Sequence, residues 1–278
     1  MPSPDPAALV DGEPRDSVPV ADRGLNYGDG LFETIAVVDG RPCLWDRHLG
    51  RLAAGCRRLQ LPMPETTRLH SEAARLADGH SLAVLKLLVT RGDGGRGYRA
   101  PHPAIGRRIL IRSRWPDFPP AWRDGGVRVR WCDTRLGHQP ALAGLKHLNR
   151  LEQVLARGEW DDPDIPEGLM LDPEGWVIEA TQSNLFVWQD HRLLTPALDR
   201  CGVAGVMRGL GLDVARSLGV PVVEARLTVG EVQRASAVYL TSALIGVWRV
   251  AELAGVHYLP HGPASAWEQR LRAGAFGP

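Results

Sequence analysis

Only two lysines, Lys86 and Lys146, stand in a chain of 278 residues whose lysines and arginines total 33. Where arginine serves almost everywhere, a retained lysine points to a need for an amine. An amine can lose its proton and act as a nucleophile, which a guanidinium cannot do at workable pH. Lys146 lies in Ala141-Leu-Ala-Gly-Leu-Lys-His-Leu-Asn-Arg-Leu-Glu-Gln153. Spacing alone leaves open that it is an ordinary solvated charge near a helix start. Glu179, in Val177-Ile-Glu-Ala-Thr-Gln-Ser-Asn-Leu-Phe186, ends an apolar run before a polar turn. Its position by itself favours a cap or a solvated strand end. A helix expected over 205–216 follows a glycine and offers backbone N–H groups and its positive dipole end, a natural phosphate seat. Thr241 and Ser242 after a late strand add hydroxyl and amide donors, and Arg51 supplies a matching charge.

Two glycine-rich stretches flank these groups. Tyr27-Gly-Asp-Gly30 precedes a strand and Arg91-Gly-Asp-Gly-Gly-Arg-Gly-Tyr98 opens no helix, so neither is a dinucleotide fingerprint or a Walker loop. Both read as tight turns. Arg96, uncrowded among glycines, suits bidentate capture of a carboxylate. The nine histidines and four cysteines show no ligand spacing, so no metal is expected.

The elements that must position these residues follow from local patterns. Leu31–Val38 is β-rich, Asp39-Gly40 signals a hairpin turn, and 41–45 returns. Asp46 is placed to cap a helix over 47–59 whose apolar face is Leu49, Leu52, Cys56 and Leu59. A second helix is expected over 65–78, then strands at 81–90 and 107–112. The Pro- and Gly-rich stretch 115–126 reads as a linker. It divides an N-terminal domain, 1–114, from a C-terminal domain, 127–278. Beyond it come a strand at 127–131 and a helix face of Leu148, Leu151 and Leu155. A hairpin over 168–178 follows, then strands at 185–188, 221–227 and 237–241. A short helical run at 267–271 has no assigned role. Mixed strands and helices in both halves predict an α+β protein of two domains.

Composition narrows the class. Hydrophobic residues are 44%, charged residues 23% and the net charge is +1, which fits a folded soluble protein and argues against a nucleic-acid binder. No apolar stretch reaches the length of a membrane span. The first ten residues lack the basic start and apolar core of a signal peptide, so the cytoplasm, with reduced thiols, is the expected compartment.

Taken in order, from about Asp22 to about Val250, these residues resemble the fold-type IV pyridoxal-phosphate enzymes. That family includes branched-chain aminotransferases, D-amino-acid aminotransferases and aminodeoxychorismate lyases. Arg91–Tyr98, Leu142–Leu155 and Gly175–Glu179 are similar to the lyase pattern. The resemblance implies pyridoxal 5'-phosphate as cofactor and a homodimer acting on a small molecule. It also implies a smaller N-terminal α/β domain and a larger C-terminal domain with a barrel-like sheet. By it, Lys146 matches the lysine that carries the cofactor and moves the proton. Glu179 matches the carboxylate beside the pyridine nitrogen, and Arg51, Val206, Met207, Ser242 and Ala243 match the phosphate-binding positions. Arg96, Tyr98 and Phe32 match substrate-contacting positions. Aminotransferase relatives usually carry threonine where Met207 and Ala243 stand, which tilts the expectation toward the lyase. That reaction converts 4-amino-4-deoxychorismate to 4-aminobenzoate and pyruvate. The alternatives are a D-amino-acid or branched-chain aminotransferase and a non-catalytic cofactor-binding homologue.

Overall fold

The computed structural model describes residues 8–277. Met1–Ala7, which carry most of the stretch read as lacking a signal peptide, lie outside the described residues. The chain forms two compact units. One comprises Met1–Pro116, Lys146–Asn149 and Phe276–Pro278; the other comprises Asp117–Leu145 and Arg150–Ala275.

The first unit holds β1 (Ala8–Val10), β2 (Glu13–Pro14), α1 (Arg23–Tyr27), β3 (Gly30–Val38), β4 (Arg41–Pro42), α2 (Trp45–Leu59), α3 (Thr66–Ala77), β5 (Leu82–Thr90) and β6 (Arg107–Ser113). Its antiparallel sheet runs β2-β1-β6-β5-β3-β4. The expected hairpin is present, with Asp39 and Gly40 both at positive φ, the backbone that a two-residue turn demands. The returning strand is shorter than expected, because Trp45 already begins α2. Asp46 does not cap that helix. Leu44 holds the N-cap position without a side-chain bond, and Asp46 sits in the first turn, where its charge still favours the helix dipole.

Alternation sorts the two faces of this sheet. Ile35, Val37, Leu85, Leu87, Val89 and Leu110 are buried on the face that α2 and α3 cover. The opposite face carries Phe32 and Thr34 from β3 and Lys86 and Leu88 from β5, in register as Phe32–Leu88 and Thr34–Lys86. Residues 146–149 join this sheet at its β3 edge. The Phe32 N–H donates to Lys146 O at 2.9 Å, the Leu148 N–H donates to Gly30 O at 3.0 Å, and Leu31 faces His147 in an antiparallel bridge.

The second unit holds α4 (Pro120–Asp124), β7 (Val127–Arg135), α5 (Leu151–Arg157), β8 (Glu167–Leu171), β9 (Trp176–Ala180), β10 (Asn184–Gln189), β11 (Arg192–Pro196), α6 (Val206–Ser217), β12 (Val222–Ala225), β13 (Leu227–Thr228), α7 (Val229–Gln233), β14 (Ala237–Ser242), β15 (Gly246–Leu253), β16 (Val256–His257) and α8 (Gly262–Ala275). The proline-rich stretch read as a linker thus contains one short helix, with Pro120 in its first turn, where the missing N–H costs nothing. Strands β10-β14-β15-β7-β8-β9 close into a six-stranded barrel through the pairing of β9 with β10. Val127, Val129, Leu169, Leu171, Val177, Leu185, Val187, Val238 and Leu240 share one apolar core on one side of this wall.

Helix α8 is longer than the short run that the pattern predicts. Its Trp267 is fully buried against Phe186 and Tyr239, and its indole N–H donates to the Gly211 carbonyl of α6 at 2.9 Å. This helix therefore anchors α6 on the outside of the barrel, the role that the sequence left blank. Helix α5 begins at Leu151, so Leu148 lies before it. Its apolar face is outward, with Leu151 76%, Val154 63% and Leu155 65% exposed.

Candidate active site

Among the site residues predicted from the sequence, Lys146, Phe32, Arg51, Arg96 and Tyr98 fall in the first unit. Glu179, Val206, Met207, Ser242 and Ala243 fall in the second.

In the first unit, Lys146 occupies an extended loop on the sheet edge rather than a solvated helix position. Its backbone pairing with Phe32 sets its side chain on the open face, and its Nζ lies 4.3 Å from the centre of the Phe32 ring. An ammonium at that distance gains about 0.5–1 kcal/mol from the ring. Arg51 on α2 is held by Glu33, which accepts from its Nε at 2.8 Å and from Nη2. The same carboxylate accepts from His48 Nδ1 at 2.6 Å. Glu33 projects from β3 to the helix-covered face and is buried there, so its charge is expensive unless paired. The Arg51 guanidinium and the His48 hydrogen bond overcome that desolvation and hold Glu33 at about 2. Burial pulls His48 down in turn, so it stands neutral with the proton on Nδ1. Its Nε2 is buried with no hydrogen-bond partner among the described residues.

The two glycine-rich stretches lock together. Asp29 accepts from Arg23 Nε at 2.8 Å and from Arg91 Nε at 2.7 Å, while Arg23 also donates to the carbonyls of Gly97 and Tyr98. Arg96 and Tyr98 stay exposed on the loop so formed, and the Tyr98 ring packs edge-on against Tyr27 at 5.5 Å.

In the second unit, Glu179 is 4% exposed and is not a solvated strand end. A bulge explains its direction. Met170 pairs with Glu179 and Leu171 pairs with Val177, leaving Ile178 as an extra residue in β9. Val177 therefore stays in the apolar core while Glu179 turns to the other face. Register places Glu179, Asn184 and Thr241 in one row across β9, β10 and β14 on that face. Glu179 accepts from the Val203 N–H at 2.8 Å, and Asn184 donates to the Val203 carbonyl at 2.8 Å. These bonds fix the loop that leads into α6. The helix starts against Asn184, since a Cβ on Gly205 would meet Asn184 Oδ1 at 2.0 Å, and no side chain caps its first turn. The amides of Val206 and Met207 open this turn, and Ser242 and Ala243 stand at the end of β14. Thr241 Oγ1, in the row, is buried with no hydrogen-bond partner among the described residues. A phosphate at the helix start and a protonated ring nitrogen near Glu179 both fit these donors and acceptors.

Sequence reasoning missed Glu33, His48, Glu167 and Asn184. A carboxylate inside the apolar run Leu31-Phe-Glu-Thr-Ile-Ala-Val-Val38 was the available signal for Glu33, and Asn184 opening an apolar strand was another. Glu167, at the start of β8, accepts from Thr181 Oγ1 at 2.5 Å and Ser183 Oγ at 2.9 Å. It thereby secures the turn between Glu179 and Asn184. Complete burial outweighs these bonds and pushes Glu167 from 4.5 up to about 7. Between those values the folded chain holds a proton that the unfolded chain has lost. The associated stability is full below about 4.5 and falls by about 3 kcal/mol as pH rises through about 7. Thermal melts from pH 5 to 8 are expected to show this decline in the wild type and not in Glu167→Gln.

Known proteins share this architecture. Residues 30–253 match amino-transferase class IV. The chain is 38% identical over 239 residues to an aminodeoxychorismate lyase of Vibrio harveyi, covering 86% of this chain and 88% of the relative. It is 27% identical over 246 residues to a D-alanine aminotransferase of Listeria innocua, covering 86% and 83%. The crystal structure of 4-amino-4-deoxychorismate lyase from Pseudomonas aeruginosa superposes with a TM-score of 0.91 at 46% identity, covering 96% of this chain and 98% of that one. The chain belongs to the aminotransferase class IV family of fold-type IV pyridoxal-phosphate enzymes.

Proposed function

We propose that this protein is an aminodeoxychorismate lyase that converts 4-amino-4-deoxychorismate into 4-aminobenzoate, a folate precursor, and pyruvate. The observation that carries the reading is near-complete coverage at 46% identity by a lyase structure, with 38% identity to a lyase sequence against 30% to a putative branched-chain aminotransferase and 27% to a D-alanine aminotransferase. Lys146, set on a sheet edge with its amine over Phe32, supplies the reactive group the reaction requires.

The residues present fit the cofactor. The row of Glu179, Asn184 and Thr241, with an unpartnered buried hydroxyl and an uncapped helix start beside it, offers a ring acceptor and a phosphate seat. Glu179 would hold the proton on the ring nitrogen. The backbone amides of Val206 and Met207, with Ser242, Ala243 and the Arg51 charge, would bind the phosphate. Bound pyridoxal phosphate supplies an electron sink for negative charge developing at the amine-bearing carbon of the substrate. The Lys146 amine takes the proton from that carbon. The neighbouring carbon–oxygen bond then breaks, the ring becomes aromatic, and the enolpyruvate that leaves gains a proton to become pyruvate. Arg96 and Tyr98 bind substrate carboxylate, and Phe32 walls the pocket.

Incubation of the enzyme with 4-amino-4-deoxychorismate is expected to give pyruvate and 4-aminobenzoate in equal amounts. Amino transfer from D-alanine or leucine to 2-oxoglutarate, without release of 4-aminobenzoate, would sink the lyase reading.

A cytoplasmic homodimer completes the proposal. Four buried, unbridged cysteines suit a reducing compartment. Leu151, Val154 and Leu155 present an apolar stripe that water would penalise in an isolated chain. Light scattering is expected to give twice the chain mass for the wild type and a shift toward the single-chain mass for Leu155→Glu.

A further inference from the structure

We infer that Lys86 is a carboxylate-binding residue of the site, seating an acid group of the substrate beside the ring of Phe32. The assignment rests on the lyase reading for the identity of the substrate and for the roles of Lys146 and Arg96. Its own basis is placement. The only two lysines of the chain meet at one aromatic ring, with Lys146 Nζ 4.3 Å and Lys86 Nζ 5.3 Å from the centre of Phe32. With Lys146 as the reactive amine of the proposed function, Lys86 stands within a substrate's length of it.

A lysine on a strand is more often a solubilising charge at an edge. Lys86 differs in three ways. Strand β5 is interior to its sheet, between β3 and β6. The register neighbours of Lys86 are Thr34 and Ile111, neither of which is acidic, and among the described residues Lys86 makes no ion pair. The rest of the chain meets its need for surface cations with arginine. An ammonium without a counter-ion, drawn over an aromatic face and lying on the open side of the sheet, is a seat for an anion. As a compact donor of three hydrogen bonds it suits a single carboxylate oxygen pair. The proposed substrate carries two carboxylates, so Lys86 would hold one and Arg96 the other.

The test uses the holoenzyme, Lys86→Ala and Lys86→Arg. Kinetics are measured with 4-amino-4-deoxychorismate. Calorimetry measures binding of chorismate, which keeps both carboxylates and carries a hydroxyl in place of the amine. Lys86 is exposed, so thermal melts and the visible absorbance of bound cofactor are expected to be unchanged in both variants. Loss of one charged contact is expected to raise KM and the chorismate Kd about 10- to 100-fold in Lys86→Ala, with kcat within about twofold. Lys86→Arg is expected to recover most of the loss. KM and Kd within about twofold of wild type in Lys86→Ala would overturn the assignment while leaving the lyase reading intact. So would a fall in kcat or in cofactor content with KM unchanged. Failure of the wild type to release pyruvate condemns the lyase reading instead. In that case chorismate affinity still decides Lys86, because a Kd that depends on the charge supports the seat and one that does not removes it.

Discussion

Lys146→Ala is expected to abolish pyruvate release, lowering kcat by about four orders of magnitude. One amine carries two tasks in the proposed reaction. General-base transfer by a positioned side chain contributes about 10²–10⁴-fold, and loss of the covalent attachment point adds to that. The fold is expected to survive, because the bonds that dock this segment onto β3 are made by backbone atoms: Phe32 N–H to Lys146 O and Leu148 N–H to Gly30 O. The measurement pairs a coupled assay for pyruvate with the visible spectrum of the reconstituted protein. Undiminished turnover, or retention of a lysine-bound cofactor spectrum in the variant, would refute the role. Lys146→Arg is expected to behave like the alanine variant in turnover, since a guanidinium keeps the charge and cannot give up its proton.

Lys146 stood out in the sequence because its residue type and scarcity are local, while the role proposed for it came from the resemblance of its surrounding motif to a family. Most elements were legible because their signals are local too. Alternation in 82–90 and the turn pair Asp39-Gly40 need no distant partner to be read. What escaped is what depends on register. Nothing in the residues around Lys146 says that 146–149 will add to the edge of β3. Nor does local alternation announce the extra residue Ile178, which turns Glu179 away from the barrel core. Read without the bulge, Glu179 shares a face with Val177 and its charge would be forced into the apolar core. Glu167 and the Thr181–Ser183 turn are 14 or more residues apart and meet only because β8 and β9 pair. Helix α5 shows another gap. Its leucines mark a face correctly, but periodicity gives the existence of an apolar face and not what covers it.

The largest loss of stability is expected from Glu33→Ala. This carboxylate is the single acceptor for two groups on α2, Arg51 and His48, and it is buried on the covered face of the first unit's sheet. Removing one partner of such a cluster leaves the others desolvated without compensation, which typically costs 3–5 kcal/mol. Arg51 keeps some access to water, so about 3 kcal/mol is the expected cost here, or a Tm lower by about 10 °C. The pH dependence identifies the cause. Arg51 and His48 hold the folded-state pKa of Glu33 at about 2, against 4.5 when unperturbed. Its contribution is therefore full above about 4.5 and is lost as pH falls toward about 2. Acid melts of the wild type should steepen across that window, and those of Glu33→Ala should lack the corresponding step. His48 cannot mimic this pattern. Its folded pKa is depressed from 6.5, so its own effect is a loss of stability that begins below about 6.5 as the unfolded chain takes up the proton. Glu33→Gln separates charge from shape: an amide can still accept from His48, so that variant should keep part of the stability and lose the acid step. If Glu33→Ala melts within about 2 °C of wild type at neutral pH, the cluster is not what fixes Arg51. The expectation that Arg51 is held ready for a phosphate would then need another source of order.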